Sequence, residues 1–343
     1  MRAVEIHKYG AAKDVLIFNQ GAPLPEPGPD EIRIRVHASA VNNIDCAIRN
    51  GYGSEFFKKR GLFELPIVMG RDVSGVVDKI GEDVTRFSVG DEVYAAPSNR
   101  GCADYVTVKA DFAALKPGNL THLEAASFPY VVLTAWAALA VHAGLTAENT
   151  AGQKVFLPRG SGGIGTFAIQ WMKAWGAQLV TSCSTKNIEL VKSLGADEVF
   201  DYTKDGFEGR LNDCDVALDM LGHEMTEPVL ATLKEHSGAR YVSVVSPLMQ
   251  LTTEHGYDKG LEMYEAELAD RQTNQAELGR EFAWSFMQPN GNALAKIAEL
   301  IEQHKIKPVI DRVYPLEQLV DAHEYMESRR ARGKVVISTI KPE

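Results

Sequence analysis

The feature that most narrows the folds open to this chain is a glycine turn set between a strand and a helix. The apolar run Val155-Phe156-Leu157 leads directly into Gly160-Ser161-Gly162-Gly163-Ile164-Gly165. Behind it, Ile164, Phe167, Ala168, Trp171, Met172 and Trp175 recur at i, i+3, i+4, i+7, i+8 and i+11, one continuous apolar stripe on a helix. Side chains in such a turn would keep a pyrophosphate from the backbone N–H groups at the helix start, and the last glycine lets the helix lie close to the sheet. Strand, glycine turn and amphipathic helix in this order point to a dinucleotide site; the alternative is a βα turn with no ligand. Arg159 stands where such turns carry their first glycine, so the turn is expected to shift by a residue onto Gly160. Arg159 either reaches a phosphate or faces solvent.

The second half of the dinucleotide is read about twenty residues further on, where NAD-specific sites place an acid for the ribose hydroxyls. Here the sequence is Ser182-Cys183-Ser184-Thr185-Lys186-Asn187, without a carboxylate. Hydroxyls, a helix start and a lysine suit a 2′-phosphate, so NADPH is expected over NADH. The same residues also suit a helix cap, and the two roles are compatible.

Around this unit, strand and helix patterns alternate from about Thr121: strands at 154–158, 178–183, 215–220 and 239–245, helices at 163–175, 187–194 and 226–235. That is the pattern of a parallel sheet flanked by helices. A buried helix is expected at Val131–His142, an irregular or part-helical excursion at Leu248–Arg280, a strand at Phe282–Met287, and a helix around Leu294–Ile301. The first third differs. Ile32, Ile34 and Val36 alternate with polar residues, and short apolar runs at Val73–Val77, Glu92–Ala95 and Tyr105–Val108 are punctuated by Gly81, Gly90 and Pro97. These read as a small barrel or sandwich, with Lys334–Ser338 returning to it as a last strand.

At 343 residues the chain is long enough for two domains and a large core, and 45% hydrophobic with 24% charged residues is a soluble composition. A net charge of −10 argues against nucleic acid as a partner. The four cysteines form no CxxC pair and read as reduced thiols. The start of the chain shows no signal or transit pattern, and the apolar stretch from Val131 to Val141 is too short for a bilayer span. A cytoplasmic enzyme is the expectation, as is a possible homodimer through the Phe282–Met287 edge strand. The His and Cys spacings include no HxxxH or HExxH, so no metal site is expected.

Longer motifs then carry a resemblance. Val41-Asn42-Asn43-Ile44-Asp45, Gly90-Asp91-Glu92-Val93, Leu133-Thr134-Ala135-Trp136, the glycine turn, Leu194-Gly195-Ala196-Asp197 and Asp201-Tyr202 resemble the zinc-free quinone oxidoreductase branch of the medium-chain dehydrogenase/reductases, over essentially the whole chain. Gly70-Arg71-Asp72-Val73-Ser74-Gly75, Gly165–Gln170 and Ala331–Lys334 are similar to its reticulon-interacting mitochondrial subfamily. Zinc-dependent relatives have histidine where Arg71 stands.

The resemblance implies an α/β protein: a GroES-like β-barrel catalytic domain at 1–123 and 308–343, and a doubly wound Rossmann domain at 124–307. It implies hydride transfer from NADPH to a quinone or α,β-unsaturated carbonyl. Ser161, Gly162, Gly163 and Ile164 would hold the pyrophosphate, Ser184 and Lys186 the 2′-phosphate, and Tyr202 the adenosine end. Asn42 and Thr134 would face the nicotinamide side. Met220 and Val245 would line the cofactor's path, with Trp284, Phe286, Arg332 and Lys334 closing it.

Without a metal to polarise a carbonyl, the acceptor must itself delocalise the added charge, and the protein mainly positions the reactants. Tyr52 is a candidate proton donor, or packs at a cleft rim. Arg71 is a candidate for stabilising an enolate or semiquinone of the acceptor, or pairs with Asp45 or Asp72. Two further readings compete: an NADPH-binding sensor or scaffold with little turnover, and a zinc alcohol dehydrogenase.

Overall fold

The computed structural model of the protein describes residues 1–340. They form two compact units: Met1–Leu133 with Pro289–His304 and Pro308 onward, and Thr134–Gln288 with Lys305–Lys307.

The second unit is built on a parallel sheet. Among the described residues its strands run in the order Glu198–Asp201, Gln178–Cys183, Lys154–Leu157, Val216–Asp219, Ala239–Ser243, Arg280–Trp284. Strands covered on both faces read as near-continuous apolar runs, which is why Val155–Leu157 and Val216–Leu218 are apolar throughout. Phe156, Val180, Ala217, Tyr241 and Phe282 meet in one core. Lys154–Leu157 pairs with Gln178–Cys183 on one side and Val216–Asp219 on the other. The strand order reverses there, and open α/β sheets bind ligands beyond the carboxyl ends of their strands at that point.

The glycine turn leaves the sheet at this reversal. Arg159 itself adopts φ 60°, the left-handed conformation that the expected glycine would have supplied. Gly160 is required by packing, since a Cβ there would sit 2.1 Å from Thr181 Oγ1. At Gly165 a Cβ would lie 2.6 Å from both Arg159 O and Gly160 Cα. The helix Gly163–Ala174 that follows is buried continuously from Gly165 to Met172, more than the single stripe its periodicity indicates. Its polar Gln170 is satisfied by Lys307, through Nε2 to O at 3.0 Å and N to Oε1 at 2.9 Å.

Of the two readings of Leu248–Arg280, the helical one holds, and more fully than expected. The segment forms two helices, Leu248–His255 and Tyr257–Glu277. The longer one buries only Gly260 and touches the core through Tyr264 and Leu268. So few apolar contacts on 21 residues leave almost no periodic signal. The helix expected at 226–235 ends early, at Leu230. The helical run His122–His142 is long and apolar enough to cross a membrane by length and composition, with 72% of its apolar window buried inside the protein. It starts well before Val131, and its last turns, Trp136–His142, are π-helical.

The first unit centres on a mixed sheet ordered Ile310–Pro315, Lys334–Ser338, Glu31–Val41, Val73–Ile80, Glu92–Ala95, Ala113–Leu115, with Tyr105–Lys109 also pairing Glu31–Val41. Lys334–Ser338 joins as expected, antiparallel to Glu31–Val41, with Val335 opposite Val41. The helix Leu319–Glu327 packs its buried face on a core of Cys46, Met69, Leu316 and Val335. It also buries His323, whose Nδ1 lies 3.4 Å from Cys46 Sγ.

Two stability predictions follow from these contacts. Gly160→Ala should destabilise the protein by about 1–3 kcal/mol in denaturant titration, the range for overpacking a tight site. Burial holds the pKa of His323 down to about 3, and burial with the neighbouring His122 holds that of His37 to about 4. Both imidazoles are neutral when folded and become charged on unfolding near pH 6.5, so their stability contribution is complete above that pH and is lost as pH falls toward 4. Asp45, raised to about 6 mainly by burial, opposes this with one group against two. Tm should therefore fall between pH 6.5 and 4.5, and His323→Gln should flatten the slope; an unchanged slope would remove His323 from the balance.

Candidate functional site

In the second unit, Ser161, Gly162, Gly163 and Ile164 lie half-buried where Lys154–Leu157 gives way to the helix Gly163–Ala174. The site fits a dinucleotide. A Cβ on Gly162 would meet only Arg159 O, at 3.4 Å, so the turn's backbone stays open there while Gly160 and Gly165 close it from behind. The first N–H groups of the helix have no intrahelical acceptor and are free for an anion.

Ser184 follows the end of Gln178–Cys183 directly and is half-buried. Lys186 is exposed, with no ion pair among the described residues. Asn187 joins the two serine positions, its Nδ2 donating to Ser161 Oγ at 3.0 Å and Ser184 Oγ at 3.3 Å. Sequence reasoning saw Asn187 only as a cap; a polar residue beside a phosphate turn was the available signal.

A carboxylate does stand close by. Asp201, opposite Cys183 on the neighbouring strand, accepts from Thr185 Oγ1 at 2.5 Å, Thr203 Oγ1 at 2.6 Å and Thr203 N at 3.0 Å. These hydrogen bonds, Thr185 first, hold its carboxyl below the ordinary range and occupy its oxygens. Tyr202, next to it, is 60% exposed.

Met220 is buried and Val245 half-buried beyond the next two strands, and Val245 packs on Gly222. Asp219 fixes that turn, accepting from Leu221 N at 2.7 Å and Tyr241 OH at 2.6 Å. Trp284 is a core residue, stacked on Tyr264 with ring centroids 5.1 Å apart. Phe286 stays half-buried beyond it. Thr134 is buried in the helix Pro129–Ala135.

The first unit holds a buried polar cluster. Asp72, fully buried, accepts from Lys334 Nζ at 2.9 Å, Asn42 Nδ2 at 2.8 Å and Tyr130 N at 2.6 Å. Lys334 Nζ also donates to Asn42 Oδ1 at 2.5 Å. The other hydrogen of Asn42 Nδ2 points to Asp45 Oδ2 at 3.2 Å, which also accepts from Asn42 N at 2.8 Å. Asn42 therefore spends both amide donors inside the protein.

Arg71 pairs with Asp45 rather than Asp72, Nε to Oδ1 at 3.9 Å. Its guanidinium lies over Phe63 at 4.7 Å and Tyr130 at 5.8 Å, and its buried Nη2 has no hydrogen-bond partner among the described residues. Burial, ahead of the nearby Asp72, raises the pKa of Asp45 to about 6, against the pull of Arg71 and Asn42. Tyr52 stands apart from this cluster, 39% exposed, with its phenol raised by partial desolvation. Arg332 is exposed while Lys334 is buried. Among the described residues no three His, Cys, Asp or Glu side chains converge as a metal site.

Comparison with known proteins agrees with this architecture. The alcohol dehydrogenase GroES-like domain model matches residues 28–148, and the zinc-binding dehydrogenase model matches residues 194–337. The chain is 38% identical over 358 residues to the mitochondrial NAD(P)H oxidoreductase RTN4IP1 of Danio rerio, covering 100% of this chain and 92% of that protein. It is 33% identical to the chloroplastic NADPH-dependent alkenal/one oxidoreductase of Arabidopsis thaliana, over 99% of this chain and 80% of that one. The solved quinone oxidoreductase of Coxiella burnetii superposes with a TM-score of 0.81 at 30% identity over 99% of both chains. The fold is thus α/β, a GroES-like domain with a Rossmann-type parallel sheet. The expectation of a cytoplasmic enzyme is corrected: relatives 38–40% identical over the full chain are named as mitochondrial proteins. The chain belongs to the medium-chain dehydrogenase/reductase family, alongside its quinone oxidoreductases and the RTN4IP1 NAD(P)H oxidoreductases.

Proposed function

We propose that this protein is an NADPH-dependent reductase that delivers hydride to a quinone or an α,β-unsaturated carbonyl without zinc. The observation that carries the reading is the end of the second strand of the parallel sheet. Ser184 and Lys186, which has no ion pair among the described residues, stand there, and Asp201 on the neighbouring strand is tied up by Thr185 and Thr203. A 2′-phosphate finds a hydroxyl and an ammonium there instead of an opposing charge.

The nicotinamide cofactor, when bound, supplies the hydride. Ser161 and the backbone N–H groups of Gly163 and Ile164 would bind its pyrophosphate, Gly162 would leave room for its approach while its own N–H is given to Arg159 O at 2.9 Å, and Ser184 and Lys186 would bind its 2′-phosphate. Tyr202 offers an exposed ring to the adenosine end, and Met220 and Val245 offer apolar surface along its length. Asn42 and Thr134 are assigned to the nicotinamide side, Asn42 chiefly through the rigid Lys334–Asp72 cluster that holds it. The core positions of Trp284 and Lys334, the latter spent on Asp72 and Asn42, and the exposure of Arg332 weaken their assignment as closing residues; half-buried Phe286 keeps its own.

Hydride addition to a conjugated carbon leaves negative charge on the acceptor oxygen. Arg71 is a fixed cation with unspent hydrogen-bonding capacity, suited to stabilising that charge. Tyr52 is a phenol protonated at neutral pH and is the candidate proton donor, although desolvation raises its pKa and so makes it a weaker acid. The position that holds the histidine ligand in zinc-dependent relatives is Arg71, a residue that cannot bind a cation.

Oxidation of NADPH and NADH should be followed side by side with a panel of quinones and 2-alkenals, in the presence of a chelator. We expect kcat/KM for NADPH to exceed that for NADH by about tenfold or more, the worth of one charge-assisted contact. Chelation should change nothing; loss of activity on chelation would restore the zinc reading. Tight NADPH binding with no oxidation by any acceptor would favour a binding protein. Tyr52→Phe should lower kcat for alkenals by about a hundredfold, the lower range for general acid catalysis, with NADPH affinity unchanged. Unaltered turnover would remove Tyr52 from the mechanism.

A further inference from the structure

Asn187 does more than cap a helix. It is 7% exposed, and its backbone N donates to Ser184 O at 2.8 Å, closing the short 3₁₀ turn Thr185–Asn187. The side chain makes no helix-capping hydrogen bond. Instead its amide nitrogen reaches back to two hydroxyl oxygens, Ser161 Oγ in the glycine turn and Ser184 Oγ at the end of Gln178–Cys183. An amide nitrogen carries two hydrogens, and both are spent on these serines.

A hydroxyl that accepts a hydrogen bond still has its own hydrogen to place. With Asn187 donating to both, the O–H bonds of Ser161 and Ser184 must point away from it, toward the half-buried face where each serine meets solvent. The other hydroxyl of the segment is unavailable, because Thr185 Oγ1 is committed to Asp201. Lys186 supplies charge without direction.

We infer that Asn187 is the positioning residue that turns the Ser161 and Ser184 hydroxyls outward together, as a matched pair of donors for the pyrophosphate and the 2′-phosphate of one NADPH. This rests on the NADPH reading above and gives it a specificity determinant. A ligand with phosphate at both places gains from both donors, and one with pyrophosphate alone gains from Ser161 only. Asn187 Oδ1 is buried with no partner among the described residues, so the two serines are what fixes the amide. Removing the side chain also removes that unsatisfied acceptor, and Asn187→Ala should keep its Tm.

The test is calorimetric titration of the full-length protein with NADPH, NADH and adenosine 2′,5′-bisphosphate. In Asn187→Ala, affinity for NADPH and for the bisphosphate should fall about tenfold, and for NADH about threefold, since charge-assisted hydrogen bonds lose their preset direction. The kcat at saturating NADPH should stay within about twofold, because the contacts concerned are uniform binding contacts. Ser184→Ala should cost about tenfold alone but no more than about twofold in the Asn187→Ala background, the non-additivity of coupled residues. Should Asn187→Ala fold poorly, Asn187→Ser, too short to reach both serines, should give the same losses. Unchanged affinities in a wild type that prefers NADPH, or strictly additive losses, would overturn the role of Asn187 and leave the cofactor reading standing. A wild type that binds NADPH and NADH equally and ignores the bisphosphate would overturn both.

Discussion

One buried carboxylate organises the first unit. Asp72 is fully buried and receives hydrogen bonds from Lys334, Asn42 and Tyr130, which belong to stretches far apart in the chain. An ion taken out of water costs several kcal/mol unless partners surround it, so this geometry is all or nothing. Strand pairing delivers those partners. Val335 lies opposite Val41, and this register sets Lys334 against Asn42. The late strand of the chain is thereby fixed to the early one both by its ladder and by its charge.

Arg71 depends on that arrangement. Asp72 turns to Lys334, so its neighbour Arg71 is left with Asp45 at 3.9 Å and two aromatic rings. The cluster sums to zero with Asp45, Asp72, Arg71 and Lys334 all charged. A cation paired this loosely, with Nη2 unspent, keeps more of its field than one locked in a close bidentate fork. The second unit uses a complementary device. Around Ser161 and Ser184 the amide of Asn187 donates to neutral hydroxyls, and Lys186 is exposed with no ion pair among the described residues.

Much of this was legible in the sequence because it follows from periodicity and from glycine. The strands at Glu92–Ala95, Gln178–Cys183 and Lys334–Ser338 match their apolar runs residue for residue. The glycine turn is readable because only glycine fits where Gly160 meets Thr181. Arg159 was misread as displacing the turn; it adopts the left-handed conformation itself, a choice no spacing rule encodes. The helix Tyr257–Glu277 was legible only as a part-helical excursion because it touches the core through Tyr264 and Leu268 and is otherwise largely polar. Asn187 was seen as a residue but not as a bridge, since its partners lie 26 and 3 positions away and only one of them is local. Asp72 was likewise visible only as a possible partner of Arg71. Its true partner is 262 positions distant, and strand register, not local pattern, decides it.

The division of labour between the two clusters bears on how the proposed reductase would work. Asn42 has no amide hydrogen left to give, Lys334 is committed to Asp72 and Asn42, and Asp45 is covered by Asn42 and Arg71. Among the described residues, side chains with unspent capacity include buried Arg71 through Nη2, partly exposed Tyr52, and half-buried Ser161 and Ser184 through hydroxyl hydrogens. Electrostatic preorganisation requires donors already aimed, which need no rearrangement when charge develops. Such an arrangement suits an acceptor that carries its own means of delocalising charge, and leaves the protein the task of holding two reactants in line.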